Sequence, residues 1–225
     1  MADVDEAAVE RDFEAEFGEE SQELRRSEDV LLMRKVLLNE KAAPEILDFE
    51  QELVDNLKAL LREQEETIAR NEVTVRSSWR QTVLQMELDR VKYLVVEYLR
   101  VRLRKIHAFT LHILGDAEVH SRLSKEELSF AKEYIDLDAE HLRSTALDKM
   151  PKAFQSITTQ TQTGDMVASP DLDSYVFCRV ERTIGDAQFD DGPNAAPVSL
   201  IEGDLLAIRY KPIRGLVQNG DVVLV

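Results

Sequence analysis

Forty residues, Val75 to Leu114, carry one uninterrupted helical pattern. At 1.5 Å per residue such a helix is about 60 Å long, roughly twice the width of a small domain. Leu84, Leu88, Val91, Val95 and Tyr98 step by three or four and make one apolar stripe. Val95, Leu99, Leu103 and Ile106 make a second beside it. A chain of 225 residues has few other helices with which to cover two stripes over that length. The pattern therefore predicts a partner chain.

The rest of the chain divides around this helix. Residues 1–27 read as an acidic, disordered tail, because they hold few apolar anchors. Val9, Phe13 and Phe17 are spaced by four there, and on a helix they would form a small apolar motif for a partner groove. Residues 28–151 read as a helical domain. Val30 to Leu38 is a first short helix, and Pro44 is placed in the first turn of the next, with a stripe at Ile46, Phe49, Leu53, Leu57 and Leu60. Glu66 and Arg70 form an i,i+4 pair on its polar side. After the long helix, Ser124 and Glu127 have the spacing of a capping box, and Leu128, Ala131, Ile135, Leu142 and Ala146 follow as a stripe.

Residues 152–169 read as a linker rich in Thr, Gln and Ser. Its length lets a second domain dock well away from the helices. Residues 170–225 change period. Val176, Cys178 and Val180 alternate with Tyr175, Phe177 and Arg179, which predicts a strand with two largely apolar faces. Gly185 to Pro197 reads as a loop, Leu205 to Tyr210 as a strand, and Asn219-Gly220 as a turn into a strand at Val222 to Val225. A domain of this size without metal or disulfide is marginal alone, which again favours a partner. The fold class is α+β, mostly α: a long-helix bundle followed by a small β-rich domain.

Charge and motifs exclude several functions. The net charge is −16, with 12 acidic and 3 basic side chains in the first 30 residues. Tight unaided nucleic-acid binding needs a basic face, so direct DNA binding is expected to be weak or absent. No phosphate-cradling glycine motif occurs. His107 and His112, five apart, fall on different sides of a helix, and His120 and His141 lack a second ligand at metal spacing. Asp186, Asp190 and Asp191 hint at a calcium loop, but the glycine comes one place late. The single Cys178 excludes an intrachain disulfide and reads as a small core residue. No run is apolar enough to span a membrane. No catalytic constellation, cofactor site or metal site is expected. Arg90, Arg100, Arg102 and Arg104 are interleaved with Tyr98, Leu99 and Leu103. Arg102 points nearly opposite to Arg100 and Arg104, so the cluster suits a packed helical interface better than a DNA-binding stripe.

At these residues the chain resembles a known family. The runs Gln85 to Tyr93 and Glu97 to Ile106 resemble the central helix of a GINS subunit. Leu123 to Ala131 is similar to the next helix, and Ala146 to Pro151 to its end. Pro170 to Phe177 and Ile208 to Ile213, with Leu216 and Val217, resemble the C-terminal domain of the SLD-five type. The resemblance implies a non-catalytic scaffold in a nuclear heterotetramer with three sister GINS subunits. It implies that this tetramer serves the replicative helicase together with the MCM hexamer and the Cdc-forty-five protein. In some members a tail motif binds a replisome adaptor hub, a role that Val9, Phe13 and Phe17 could serve here; polymerase epsilon is a further partner through the complex. The expected subunit interface is Leu88, Arg90, Val91, Val95, Tyr98, Leu99, Arg100, Arg102 and Arg104. Asp171, Leu172, Tyr175, Phe177, Val223 and Val225 are expected to support docking of the β-rich domain. The competing readings are a generic helical adaptor outside replication, a weak DNA-contacting subunit, and a hydrolase using Asp186 and Asp190.

Overall fold

The computed structural model describes residues 28–70, 75–158, 167–187, 189 and 198–225. The tail with Val9, Phe13 and Phe17 lies outside them, as do Asp190 and Asp191 and the middle of the linker. The described residues belong to two compact units. One contains the chain up to Arg34 together with Glu52–Val95, and the other contains Lys35–Gln51 and Val96–Val225.

The first unit holds the start of α1 (residues 28–42), nearly all of α2 (Gln51–Arg70) and the first half of α3 (Val75–Gly115). Met33, Leu53, Val54, Leu57, Ile68, Leu88 and Val95 are its buried apolar residues. Lys92 Nζ reaches Glu65 Oε1 at 3.1 Å, tying α3 to α2. The expected Glu66–Arg70 pair forms at 2.8 Å.

In the second unit α3 is interrupted at Phe109, whose φ of −123° and ψ of 26° are not helical. The next residue, Thr110, turns its hydroxyl back onto the Ile106 carbonyl, a side-chain bond that competes with the helical ladder. Asp116 caps the short α4 (Ala117–His120) by accepting from the Glu118 N–H. α5 (Lys125–Thr145) opens with the full capping box between Ser124 and Glu127. Ile46, Ile106, Ile113, Val119 and Ala131 pack together as one core cluster.

Pro44 does not start a helix. Residues 43–50 are irregular, and α2 begins only at Gln51. The cause is tertiary. Lys105 Nζ donates to the Glu45 carbonyl at 2.7 Å, Arg122 Nη1 to that of Ile46 at 3.2 Å, and Arg102 Nη1 to that of Leu47 at 2.7 Å. Three consecutive carbonyls are thus satisfied by cationic side chains, which removes the helix's usual advantage for this stretch.

The sheet runs in the order β4 (Leu205–Arg209), β1 (Tyr175–Val180), β5 (Val222–Leu224), all antiparallel to neighbours. The predicted alternation holds: Val176, Cys178 and Val180 are buried, and Tyr175, Phe177 and Arg179 face out. Two expectations need correction. Gly185–Ala187, read as loop, is a short strand β2 paired with β3 (Val198–Leu200). Asn219-Gly220, read as a strand-to-strand turn, ends a helix, α6 (Tyr210–Gln218). Gly220 has φ +75°, and the N–H groups of Gly220 and Asp221 return to the carbonyls of Val217 and Leu216, which is a Schellman closure. Pro212 is tolerated because it lies in the first turn of α6.

Tyr210, Ile213 and Val217 of α6 cover the inner face of the sheet and join Val176, Cys178, Val222 and Leu224 in one cluster. Ala43 belongs to that cluster, with Ala42 and Leu47 packed beside it. The sheet therefore docks on the end of α1 and on the loop after it, although the linker length permits a more distant position. The Leu224 N–H donates to Asn39 Oδ1 at 2.8 Å and so closes part of β5 with a helix side chain.

Candidate interaction surfaces

The arginine at the centre of the expected interface is an internal tie. Arg102 is 0% exposed and uses all five of its N–H donors. Nε and Nη2 grip Glu127 at 2.8 and 3.0 Å, and Nη1 reaches Glu40 at 3.2 Å. The remaining donors serve the carbonyls of Leu47 at 2.7 Å and Arg122 at 2.9 Å. Phe49 and Tyr98 flank the guanidinium, with ring centroids 5.1 and 5.6 Å from Cζ. Burial alone would lower its pKa, but the Glu127 hydrogen bonds and the Glu40 charge raise it. Lys105 Nζ also binds Glu40, at 2.8 Å.

A second buried carboxylate joins the helical part of this unit to the sheet. Glu45 Oε2 accepts from Arg122 Nη1 at 2.9 Å, and Oε1 accepts from the Tyr210 hydroxyl at 2.9 Å. Arg214 Nε stands 2.6 Å from Oε1 as an ion pair, outside hydrogen-bond alignment. Burial, then the Glu45 charge, raises the Tyr210 pKa.

Tyr98, also fully buried, has its pKa pushed by burial from 10.0 to about 12. A raised folded-state pKa means stability that is complete below the unfolded value and lost as pH climbs through the folded one. Lys105 runs the other way, since burial lowers its pKa, but that gain is complete near pH ~10.4, the unperturbed lysine value. Urea unfolding should therefore show stability falling between pH 10 and about 12. Tyr98→Phe should make that fall shallower, with Tyr210, whose pKa is also raised, supplying the remainder, and an unchanged profile would contradict it.

The remaining expected interface residues divide. Leu88 and Val95 are buried in this chain, and Val91 and Leu99 are half-buried. Arg90, Arg100 and Arg104 are exposed; Arg90 pairs with Glu87 at 3.4 Å, and Arg104 with Glu97 at 3.2 Å. Tyr98 and Arg102 are unavailable to a partner. Leu172 packs beside the sheet core, and Asp171 caps the turn before β1 by accepting from the Asp173 N–H at 3.0 Å. Val223 is buried, whereas Tyr175, Phe177 and Val225 face solvent.

Exposed apolar residues mark further surfaces outside the expected interface. In the first unit Trp79, Val83, Met86 and Tyr93 follow one line on α3, with Trp79 69% exposed. Their four-three-seven spacing is helical and falls outside the two apolar stripes of the sequence pattern. A cleft of about 180 Å³ lies in the same unit, lined by Val30, Leu57, Leu60, Leu61, Leu84, Leu88 and Val91. In the second unit Val96 and Leu103 on α3, and Phe130 and Leu137 on α5, are exposed. Among the described residues, no group of three or more His, Cys, Asp or Glu is placed to hold a metal ion. None of their helices is long and apolar enough to cross a membrane. His107 Nε2 is engaged with the Tyr134 hydroxyl at 2.9 Å.

Comparison with known proteins gives this arrangement a context. Residues 52–146 match the family described as GINS complex protein helical bundle domain. Residues 170–225 match the one described as DNA replication complex GINS protein SLD5 C-terminus. The chain is 36% identical to the DNA replication complex GINS protein SLD5 of Arabidopsis thaliana, over 100% of both chains. It is 35% identical to the protein of that name from Rattus norvegicus and 34% to that from Homo sapiens, each over 92% of this chain and 94% of the relative.

Proposed function

Because the chain belongs to the SLD5 family of GINS proteins, a subunit of a DNA replication complex, we propose that it is a non-catalytic scaffold in a heterotetramer with three sister GINS subunits. In this reading the tetramer works in the nucleus. It assembles with the MCM hexamer and the Cdc-forty-five protein into the replicative helicase, where the MCM ring carries the ATPase. Residues 28–151 are the helical A domain, 152–169 the linker and 170–225 the B domain. The tail, residues 1–27, offers Val9, Phe13 and Phe17 to a replisome adaptor hub. Direct DNA contact plays little part, in keeping with the charge of −16.

The observation that carries this reading is the exposed line of Trp79, Val83, Met86 and Tyr93 on α3. Such a face, on a helix already packed on its other side through Leu88 and Val95, suits a second helix laid along it. Arg90, exposed beside the apolar positions, supplies a charged end for a carboxylate of the sister subunit. Met86→Asp combined with Tyr93→Asp should abolish co-purification with co-expressed sister subunits while helicity by circular dichroism is retained. An intact tetramer from that double variant would refute the assignment of this face.

A further inference from the structure

We propose that the outer side of α5, with the neighbouring side of α3, binds an amphipathic helix of another protein that is apolar on its inner side and edged with lysine or arginine. The surface lies in the second unit and is independent of the α3 line assigned above.

Two observations carry it. First, the surface is apolar and uncovered. Phe130, Tyr134 and Leu137 step by four and three, so they share one side of α5. Phe130 is 41% and Leu137 69% exposed. Arg102 of α3 holds Glu127 of α5, and His107 Nε2 meets the Tyr134 hydroxyl at 2.9 Å, so the two helices run side by side in the same sense. Leu103, four before His107, therefore stands level with Phe130, four before Tyr134, and is exposed as well.

Second, α5 sorts its charges around that apolar line. Glu126, Glu133, Asp136 and Glu140, all exposed, step by seven, three and four and run along one edge of it. At 3.6 residues per turn this edge lies about a quarter-turn from the apolar line, while Lys125, Lys132 and Arg143 stand nearly opposite the line. Among the described residues Glu126, Asp136 and Glu140 have no side-chain partner, and Glu133 accepts only from the Ser129 hydroxyl, at 3.1 Å.

A helix laid over Phe130 and Leu137 brings its own flanking residues above this edge, as the positions beside a coiled-coil seam do. Four carboxylates there select lysine or arginine. Arg100, exposed on the same side of α3 as Leu103, confines those cations to the α5 edge. The same charges disfavour other occupants. Nucleic acid brings phosphates to a row of carboxylates. The first 30 residues of this chain hold 12 acidic against 3 basic side chains, so the tail is repelled too. A second copy would set one acidic edge against another.

The test uses the full chain and fluorescence anisotropy with a labelled helical peptide that has a leucine line, one lysine edge and one glutamine edge. Two comparisons are the same peptide with glutamate for lysine and a scrambled peptide of the first composition, which measures attraction to net charge alone. The lysine-edged helix should bind at least about tenfold more tightly than either. Asp136→Lys combined with Glu140→Lys should weaken it by roughly tenfold, and Leu137→Gln by roughly fivefold. Asp173→Lys combined with Glu202→Lys, an equal change of charge on the sheet domain, should leave the affinity within about twofold. All five positions are exposed, so the thermal midpoint should hold in each variant. Equal binding of the scrambled peptide, tighter binding of the glutamate-edged one, absence of binding, an equal loss in the sheet-domain variant, or a homodimer dissolved by Leu137→Gln would each overturn the proposal.

Discussion

Arg102→Met should destabilise the chain by about 3–5 kcal/mol, a large share of the stability of a typical domain. The methionine fills much of the same volume but supplies none of the five hydrogen bonds. Glu127 then keeps only its capping bond to the Ser124 N–H, and Glu40 only Lys105. Two carboxylates that are almost fully enclosed lose their main counter-charge, and the carbonyls of Leu47 and Arg122 lose a donor. Arg102→Lys should recover little, since an ammonium has three donors and cannot span two carboxylates and two carbonyls in one plane. Adding Glu40→Gln to Arg102→Met should restore part of the loss, because one buried charge is removed. The exposed Arg100→Met should stay within about 0.5 kcal/mol of the parent. Urea unfolding followed by circular dichroism separates these cases. A loss below about 1 kcal/mol for Arg102→Met would mean that the network contributes little net stability.

The helices were legible in the sequence wherever the cause was local. The capping box at Ser124 and Glu127, the Glu66–Arg70 pair and the alternation of β1 all follow from neighbours in the chain, and the structure has each of them. What stayed hidden depends on residues far apart. Arg102 looks like an interface cation until Glu40, 62 residues earlier, and Glu127, 25 residues later, are placed around it. Pro44 looks like a helix start until Lys105, Arg122 and Arg102 take the next three carbonyls. α6 contains both a proline and a glycine, so its period of Tyr210, Ile213 and Val217 was masked by composition. The most regular apolar stripe of α3 includes Leu88, Val95 and Tyr98, which the chain itself buries. The exposed line of Trp79, Val83, Met86 and Tyr93 is less regular, and only burial tells the two apart.

These internal ties give the scaffold reading a physical basis. A subunit that holds partners in fixed positions needs its own parts held first. In the second unit this is achieved by long-range charged contacts as well as by apolar packing, since Glu45 connects the loop after α1 to α6 across 165 residues of chain. Such a contact orients the sheet relative to its helical support, which packing of small residues such as Ala42 and Ala43 does less specifically.

Glu45→Leu should open the sheet locally and be read directly by Cys178. The substitution leaves the Arg122 guanidinium, 4% exposed, without its nearest carboxylate, and leaves the Tyr210 hydroxyl without an acceptor. Breaking one side of such a buried arrangement costs about 3–5 kcal/mol. Part of that cost falls on the docking of α6 and the sheet, because Tyr210 and Arg214 are both held by the same carboxylate. Cys178 is the sole cysteine, lies in the same core cluster as Tyr210, and has its thiol pKa raised by burial. Its reaction with a maleimide therefore requires opening of the sheet. A loss of about 2.7 kcal/mol in the opening free energy corresponds to roughly a hundredfold faster labelling. Tyr210→Phe removes one hydrogen bond, worth about 1 kcal/mol, and should accelerate labelling only about fivefold. Glu45→Gln should fall between the two, since the amide retains an acceptor but not the charge. If Glu45→Leu labels within about twofold of the parent, the carboxylate does not hold the sheet, and apolar packing around Ala43 and Ile213 carries the docking alone.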